Sequence, residues 1–373
     1  MSNFSYRILV IGVTNNRGGV ESYLLNALKN STPHLFTFYF PRMEPNFIFE
    51  NEILNYNGKI CDCISYNRHH YFSYRRVWNH FFKTHHIDAV YYNTCDIVSI
   101  DKLKFAKKAG VPVRIIHSHN TGNNRQLSFI HKIFEFWNKH AIKKVANLFF
   151  ACSDEAGRWM FNSDNFLIIK NGIEASKFAY SVEIRERMRI KLGLQNKFVV
   201  GHIGRFAEQK NHIFLIEIFK NIVKQNSNAV LMLIGSGSLE LAIRERAIAY
   251  GIEKKILFLG SRSDVSDLLQ AMDVFVFPSI FEGFGISLIE AQAVGLKCFA
   301  SDVVPKTTNI TGTVEYLPLS DSQTWADAIL SADYSVREDK SLCIREAGYD
   351  VSDSVAFLEE TIVKAIEEKS SQH

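Results

Sequence analysis

Short apolar runs alternate with helix-length segments along this chain, and the series starts twice. In the first half the runs are Ile8–Ile11, Leu35–Phe40, Ala89–Tyr92, Val113–His117 and Leu148–Ala151, with segments such as Glu21–Lys29, Val77–Lys83 and Ile97–Ala109 between them. The second half restarts at FVVGHIGR (198–205) and continues through VLMLIG (230–235), ILFLG (256–260), VFVFPS (274–279) and KCFAS (297–301). Strands that are apolar throughout must be covered on both faces, so this order predicts an α/β fold of two doubly wound parallel-sheet domains. The 373 residues are enough for both. Residues 1–175 form the first expected domain and 176–350 the second, the switch lying near 172–195, where NGIEASKF gives way to a charged segment. The remaining 351–373 read as a helix that caps the second domain or crosses back to brace the first.

Apolar residues make up 47% and charged residues 22%, the balance of a folded, water-soluble chain. No run is long enough to span a bilayer, and MSNFSYRILV already reads as a strand start, leaving no room for a signal peptide. The six cysteines are scattered; Cys61 and Cys63 flank Asp62 without a second pair, so reduced cytoplasmic thiols are expected and structural zinc is not. The net charge of +4 comes with no nucleic-acid-binding motif, so no nucleic-acid partner is expected. Its distribution matters more. Residues 68–86 carry four Arg or Lys, five His and no acid among many aromatics, and residues 125–144 repeat the mixture on an expected helix.

Two doubly wound domains should leave a cleft outside the carboxyl ends of their strands, where open α/β sheets bind ligands. The candidate residues all fall just after strands. Gly18 and Gly19 precede a helix whose N-terminus favours an anion, although Gly12 does not begin a dinucleotide GxGxxG pattern. An ordinary tight turn is the alternative reading of the pair. His119, at a strand end in IIHSHNTG, is placed to hydrogen-bond a sugar hydroxyl or to act as acid or base. Arg205 and Lys210 in GRFAEQKN suit a diphosphate leaving group. Gly235 and Gly237 in GSGSLE permit a turn that contacts phosphate or nucleotide, with Ser238 as a cap, or simply admit the next helix. The loop LGSRSDVSDLL, including Arg262, offers backbone to a base edge.

The richest segment is EGFGISLIE, where Glu282 and Glu290 are separated by seven residues. Gly283, Phe284 and Gly285 would make a phosphate-sized opening at a helix start, with one acid in the loop and the other roughly two turns along the helix. A ligand with a diphosphate and a sugar ring would use all of these groups.

In this order GGVE, HSHNTG, NGIE, GRFAEQKN, GSGSLE, LGSRSDV and FPSIFEGFGISLIEAQAVGLKCFASD resemble the retaining GT-B glycosyltransferases of the GT4-type family over nearly the whole chain. The general texture is similar to members that assemble capsule, exopolysaccharide or lipopolysaccharide. The resemblance implies that Gly19 donates its N–H to donor phosphate and that His119 lies near C6 of the transferred sugar. Arg205 and Lys210 would hold the diphosphate, Glu282 sugar hydroxyls, Glu290 the ribose O2/O3 edge, and backbone near Arg262 the base. NGI at 171–173 would be a hinge-proximal turn. The reaction implied is transfer from a nucleotide-sugar, most commonly a UDP-sugar, by front-face attack with retention. The acceptor would be a saccharide or a polyprenyl-diphosphate-linked saccharide.

No cofactor or catalytic metal is expected, since there is no Asp-x-Asp pair and Arg205, Lys210 and helix N–H groups can neutralise the leaving group. The site is expected to be cytoplasmic, with an anionic membrane surface as a further partner for the basic aromatic segments; no oligomeric partner is assigned. A nucleotide-sugar epimerase or a sugar phosphorylase on the same fold, and a non-catalytic sugar-binding scaffold, are the rival readings.

Overall fold

The computed structural model describes residues 5–15, 18–42, 47–63, 70–121 and 129–371. They fall into two compact units, one made of the residues up to Gly172 with those from Val351 onward, the other Ile173–Asp350. Arg68 and His69, Asn16 and Arg17, Gly122 and 125–128, which the sequence reading drew on, lie outside the described residues.

The first unit holds β1 (Tyr6–Ile11), β2 (Phe36–Arg42), β3 (Lys59–Asp62), β4 (Ala89–Thr94), β5 (Val113–Ser118), β6 (Leu148–Ala151) and β7 (Leu167–Ile168). They form one parallel sheet in the order β3-β2-β1-β4-β5-β6-β7. The second unit holds β8 (Phe198–Ile203), β9 (Ala229–Ile234), β10 (Ile256–Phe258), β11 (Val274–Phe277), β12 (Lys297–Ser301) and β13 (Val314–Leu317). Its sheet, β10-β9-β8-β11-β12-β13, is also parallel and repeats the first six positions of the other order. Central strands behave as the apolar runs require: Val274, Phe275, Val276 and Phe277 are all fully buried. Each such side chain contributes about 1.5–3 kcal/mol of burial.

Three strands were not anticipated. β3 and β7 are the edges of one sheet and β13 an edge of the other. Lys59, Asp62 and Glu315 break the apolar pattern there, as charges on edge strands commonly do, and β7 has only two residues. The helix expected at Val77–Lys83 spans Tyr71–Thr84, and the one expected at Ile97–Ala109 is shorter, Asp101–Lys108. Just before the latter, Thr94 and Asp96 bond the backbone of their own turn.

The helix Val351–Ser370 buries Val355, Leu358, Ile362 and Ile366, a spacing that puts them on one face. Its buried Glu359 accepts from Ser31 Oγ (2.6 Å), Thr32 N (2.9 Å) and Thr32 Oγ1 (2.6 Å) at the end of the helix Gly19–Lys29. These bonds tie the last segment into the first unit. Among the described residues no helix is long and apolar enough to cross a membrane.

Candidate active site

In the second unit, four strand-to-helix loops at the carboxyl edge of the sheet are joined by backbone hydrogen bonds. After β8, Gly204 N donates to Ile234 O (3.0 Å) and Phe206 N to Ser236 O (2.9 Å), while Leu239 N returns to Phe206 O (3.1 Å). Gly235 N reaches Gly260 O (2.8 Å), and the Ser236 and Ser261 hydroxyls pair at 2.9 Å, which brings in the loop after β10. Ile280 N donates to Gln209 O (2.8 Å) and Gln209 Nε2 to Phe281 O (3.0 Å), which adds the loop after β11.

The glycines explain how these loops come so close. A Cβ on Gly235, at φ +137°, would stand 2.1 Å from Gly204 O, and one on Gly237 would stand 2.4 Å from Phe206 O. Packing therefore already requires glycine at both positions expected to touch the nucleotide. Ser238 does not cap the next helix: Glu240–Ala249 begins after Leu239, with no side-chain cap. The loops have tightened that entry through backbone instead.

The loops after β8 and β11 set Lys210 beside Glu282. Lys210 Nζ donates to Glu282 Oε1 at 2.5 Å and sits 4.6 Å from the centre of the Phe277 ring. Glu282 is buried and Lys210 nearly so. The ammonium has three donors, so it can hold this carboxylate and still donate to an anion. Arg205 is exposed, and its side chain makes no hydrogen bond or ion pair among the described residues.

Gly283, Phe284 and Gly285 are buried, with Phe284 stacked on Tyr349 at 5.0 Å. Gly285 adopts φ +84° as the residue before the helix Ile286–Ala293, a left-handed conformation that favours glycine. The amides of Phe284, Gly285 and Ile286 have no protein acceptor among the described residues. Unpaired amides at a helix N-terminus suit an anion. Glu290 is the fifth residue of this helix, a little over one turn in rather than two, because the helix starts only after Gly285. Burial pushes its carboxyl up to about 8, although part of its surface still meets solvent. Arg262 pairs with Asp264 (2.8 and 2.6 Å), which leaves the loop backbone rather than its guanidinium for a ligand.

Beneath this platform lie two residues that the sequence reading passed over. His202 Nδ1 meets Val276 O at 2.8 Å, its Nε2 has no partner, and both ring nitrogens of His212 are unpaired. The rings lie 4.7 Å apart. Burial, with the charge on Lys210 as a smaller influence, holds His202 near 3 and His212 well below its ordinary value, so both are neutral.

In the first unit Gly18 stands just before the helix Gly19–Lys29. A Cβ on Gly18 would come 2.8 Å from Glu21 Oε2, but one on Gly19 would meet nothing within 4 Å. A Cβ on Gly18 would crowd only the tip of the Glu21 side chain, and Gly19 is open to close approach. Glu21, part of the GGVE segment but given no role from the sequence, accepts from Thr14 N (3.2 Å) and Thr14 Oγ1 (2.5 Å) and so fixes the turn; its carboxyl is raised by burial. His119 is buried at the end of β5, its Nε2 2.8 Å from Asn93 Oδ1 and its Nδ1 unpaired. Asn93 Nδ2 donates to Tyr91 O (3.3 Å), which turns its oxygen toward His119. Nε2 then carries the proton and Nδ1 presents a lone pair. His117 lies under it, ring centres 3.9 Å apart, bonded to the Tyr91 hydroxyl at 2.6 Å. Burial brings His119 down to about 3.

Among the described residues no group of three or more His, Cys, Asp and Glu could hold a metal ion. Among the described residues the cysteines form no disulfide.

Residues 184–330 match the family of glycosyl transferases group 1. The chain is 29% identical to the putative glycosyltransferase EpsF of Bacillus subtilis, over 96% of both chains. It is 34% identical to the UDP-Gal:alpha-D-GlcNAc-diphosphoundecaprenol alpha-1,3-galactosyltransferase of Escherichia coli, over 36% of each. The crystal structure of Anabaena HepE in complex with UDP-glucose superposes with a TM-score of 0.71 at 18% identity, covering 98% of both chains. At that identity the likeness concerns the fold.

Proposed function

We propose that this chain, a nucleotide-sugar-dependent glycosyltransferase of the group 1 family with the GT-B fold, moves a sugar from a UDP-sugar to a hydroxyl of a saccharide or lipid-linked saccharide in cell-surface polysaccharide synthesis. The observation that carries this reading is the joined set of loops holding Lys210, Glu282 and the unpaired amides before Glu290. The names of the Escherichia coli relative and of the HepE complex favour a uridine diphosphate donor and a diphosphate-linked acceptor.

On this reading the second unit binds the donor and the first binds the acceptor. Arg205 and Lys210 hold the diphosphate, where negative charge grows as the glycosidic bond breaks, together with the amides at Phe284–Ile286 and at Gly19. Glu282, kept ionised and oriented by Lys210, accepts from hydroxyls of the transferred sugar. Glu290 accepts from the ribose hydroxyls, and backbone near Arg262 reads the base. Neutral His119 offers its Nδ1 lone pair to a sugar hydroxyl. The acceptor oxygen attacks from the side of the leaving phosphate, the sugar–phosphate bond breaks, and the acceptor proton passes to a phosphate oxygen. The anomeric configuration is retained, and Glu282 forms no bond to the sugar.

Incubating the full chain with a panel of nucleotide-sugars and saccharide or lipid-diphosphate acceptors, with products identified by mass, tests the proposal. The expected result is an acceptor one sugar heavier with UDP-sugars. Consumption of a UDP-sugar to an isomer without any acceptor would replace it with epimerase chemistry.

A further inference from the structure

His119 is held from one side only. Its Nε2 lies 2.8 Å from Asn93 Oδ1, while its Nδ1, though buried, meets no hydrogen-bond partner among the described residues. A buried polar atom left unpaired is costly, and a ligand that donates to it removes that cost. The rings of His117 and Tyr23 flank the imidazole, with centres 3.9 Å and 5.2 Å away. Neither bonds it: the Tyr23 hydroxyl lies 2.9 Å from the Tyr91 hydroxyl, which in turn lies 2.6 Å from His117 Nδ1. Among the described residues Asn93 is the one hydrogen-bond partner of the His119 ring.

Asn93 is itself held from two directions. It is 2% exposed, near the end of β4, and its Nδ2 donates to Tyr91 O at 3.3 Å. Turned over, the amide would set its oxygen against that carbonyl, so Oδ1 is kept for His119. On the neighbouring strand β1 is followed by Gly12 at φ +129°, where a Cβ would stand 2.4 Å from Asn93 O and 2.8 Å from Asn93 Cβ. Gly12, which begins no dinucleotide pattern, is thus the residue that lets Asn93 pack so closely. An acceptor fixed in this way leaves His119 one tautomer, with the proton on Nε2.

We propose that Asn93 is a positioning residue for donor choice: by accepting from Nε2–H it keeps His119 a pure acceptor at Nδ1, so that this point of the site takes a sugar hydroxyl and refuses a carboxylate. A hydroxyl donates to the lone pair, whereas a carboxylate brings only lone pairs of its own. A site built to pair one polar group discriminates strongly against an analogue that leaves it unpaired. The inference rests on the reading of a UDP-sugar donor and narrows it to neutral hexoses over hexuronates.

Two readouts test it without turnover. The first is nitrogen NMR of the full chain labelled with ¹⁵N-histidine, the His119 signals being assigned by their loss in His119→Phe. The wild type should carry its proton on Nε2, Asn93→Leu should show mixed tautomers, and the carboxylate of Asn93→Asp should favour protonation of both nitrogens. The second is calorimetry with UDP, UDP-glucose, UDP-galactose and the two matching UDP-hexuronates. The wild type should bind a hexose form about tenfold or more tightly than its hexuronate. Asn93→Leu should weaken the hexose form about tenfold and leave UDP within about twofold, a split that general loosening of the fold would not give. Asn93→Asp keeps the size of the side chain, covers the case in which the leucine variant does not fold, and should narrow the gap between hexose and hexuronate. A proton on Nδ1 in the wild type, a tautomer unchanged in Asn93→Leu, or equal losses for UDP and UDP-hexose each overturns the proposal. Failure of the transfer reaction itself would appear as absence of acceptor-dependent product and leaves both readouts in force.

Discussion

Lys210 Nζ stands 2.5 Å from Glu282 Oε1, so the cation assigned to the leaving diphosphate is already held by the carboxylate assigned to the sugar. In the proposed reaction the pair would couple the two ends of the bond that breaks. Lys210→Ala should lower kcat/KM by about 2–4 kcal/mol equivalent, by removing a charge from the leaving group and leaving Glu282 buried without its partner. Arg205→Ala should show a loss on the same scale without destabilising the fold, since Arg205 is exposed. Steady-state kinetics and melting curves separate these effects. Less than a threefold loss in kcat/KM for both variants contradicts the assignment.

Glu282 and Glu290 should separate by experiment. Glu282→Gln should mainly lower transfer and change sugar preference, whereas Glu290→Gln should chiefly weaken UDP binding. The Glu290 carboxyl is held near 8 by burial, so at neutral pH it is mostly protonated in the free protein. Accepting two ribose hydroxyls favours the carboxylate, so UDP binding should release a proton at this position, and affinity should rise with pH up to about 8. Calorimetry in two buffers of different ionisation heat reads that proton. Equal release by wild type and Glu290→Gln would count against the ribose role.

Glycines should divide into two classes. Gly235→Ala meets a carbonyl oxygen at 2.1 Å in a left-handed conformation and should lower stability by roughly 1–3 kcal/mol or more. Gly19→Ala meets nothing and should melt no lower than wild type, yet bind the donor less well. A drop in melting temperature for Gly19→Ala, with donor affinity intact, reverses this reading.

Four buried neutral histidines make stability fall in acid. His117, His119, His202 and His212 all titrate far below the ordinary range because of burial. Below about 6.5 the unfolded chain binds protons that the folded one refuses, so each group removes up to about 1.4 kcal/mol per pH unit as pH falls from there. His212 has no hydrogen-bond partner at either nitrogen. His212→Leu should therefore stabilise the second unit, more at pH ~5.5 than at pH ~7.5. Denaturation showing the variant weaker at both pH values would refute the account.

The sequence carried the architecture wherever apolar runs were continuous and lost it at the sheet edges, where Lys59, Asp62 and Glu315 interrupt the pattern. Glu282, Glu290, Arg205 and Lys210 stand out in the sequence because the segments that carry them follow the apolar runs of β8 and β11. Their mutual geometry does not: the Lys210–Glu282 contact spans 72 positions and depends on Gln209 joining two loops. Gly235 and Gly237 looked like ligand glycines because composition cannot distinguish a loop that approaches phosphate from one that approaches another loop. The basic aromatic segments read alike, yet Tyr71–Thr84 buries Tyr74, Trp78, Phe81 and Phe82 and exposes Phe72, whereas Phe129–Val145 exposes Phe134, Phe136 and Trp137 and buries Ile142 and Val145. Asn93 and the two histidines under the platform carried no local signal, since each acts through a partner remote in sequence or through burial.

Proton NMR on one reaction mixture reads transfer of a sugar from a UDP-sugar to an acceptor hydroxyl without further separation. The anomeric signal of the UDP-sugar should decay only when acceptor is present. UDP and a glycoside with the donor's anomeric configuration should appear together. Decay without acceptor into another UDP-sugar, or a product of inverted configuration, would contradict it.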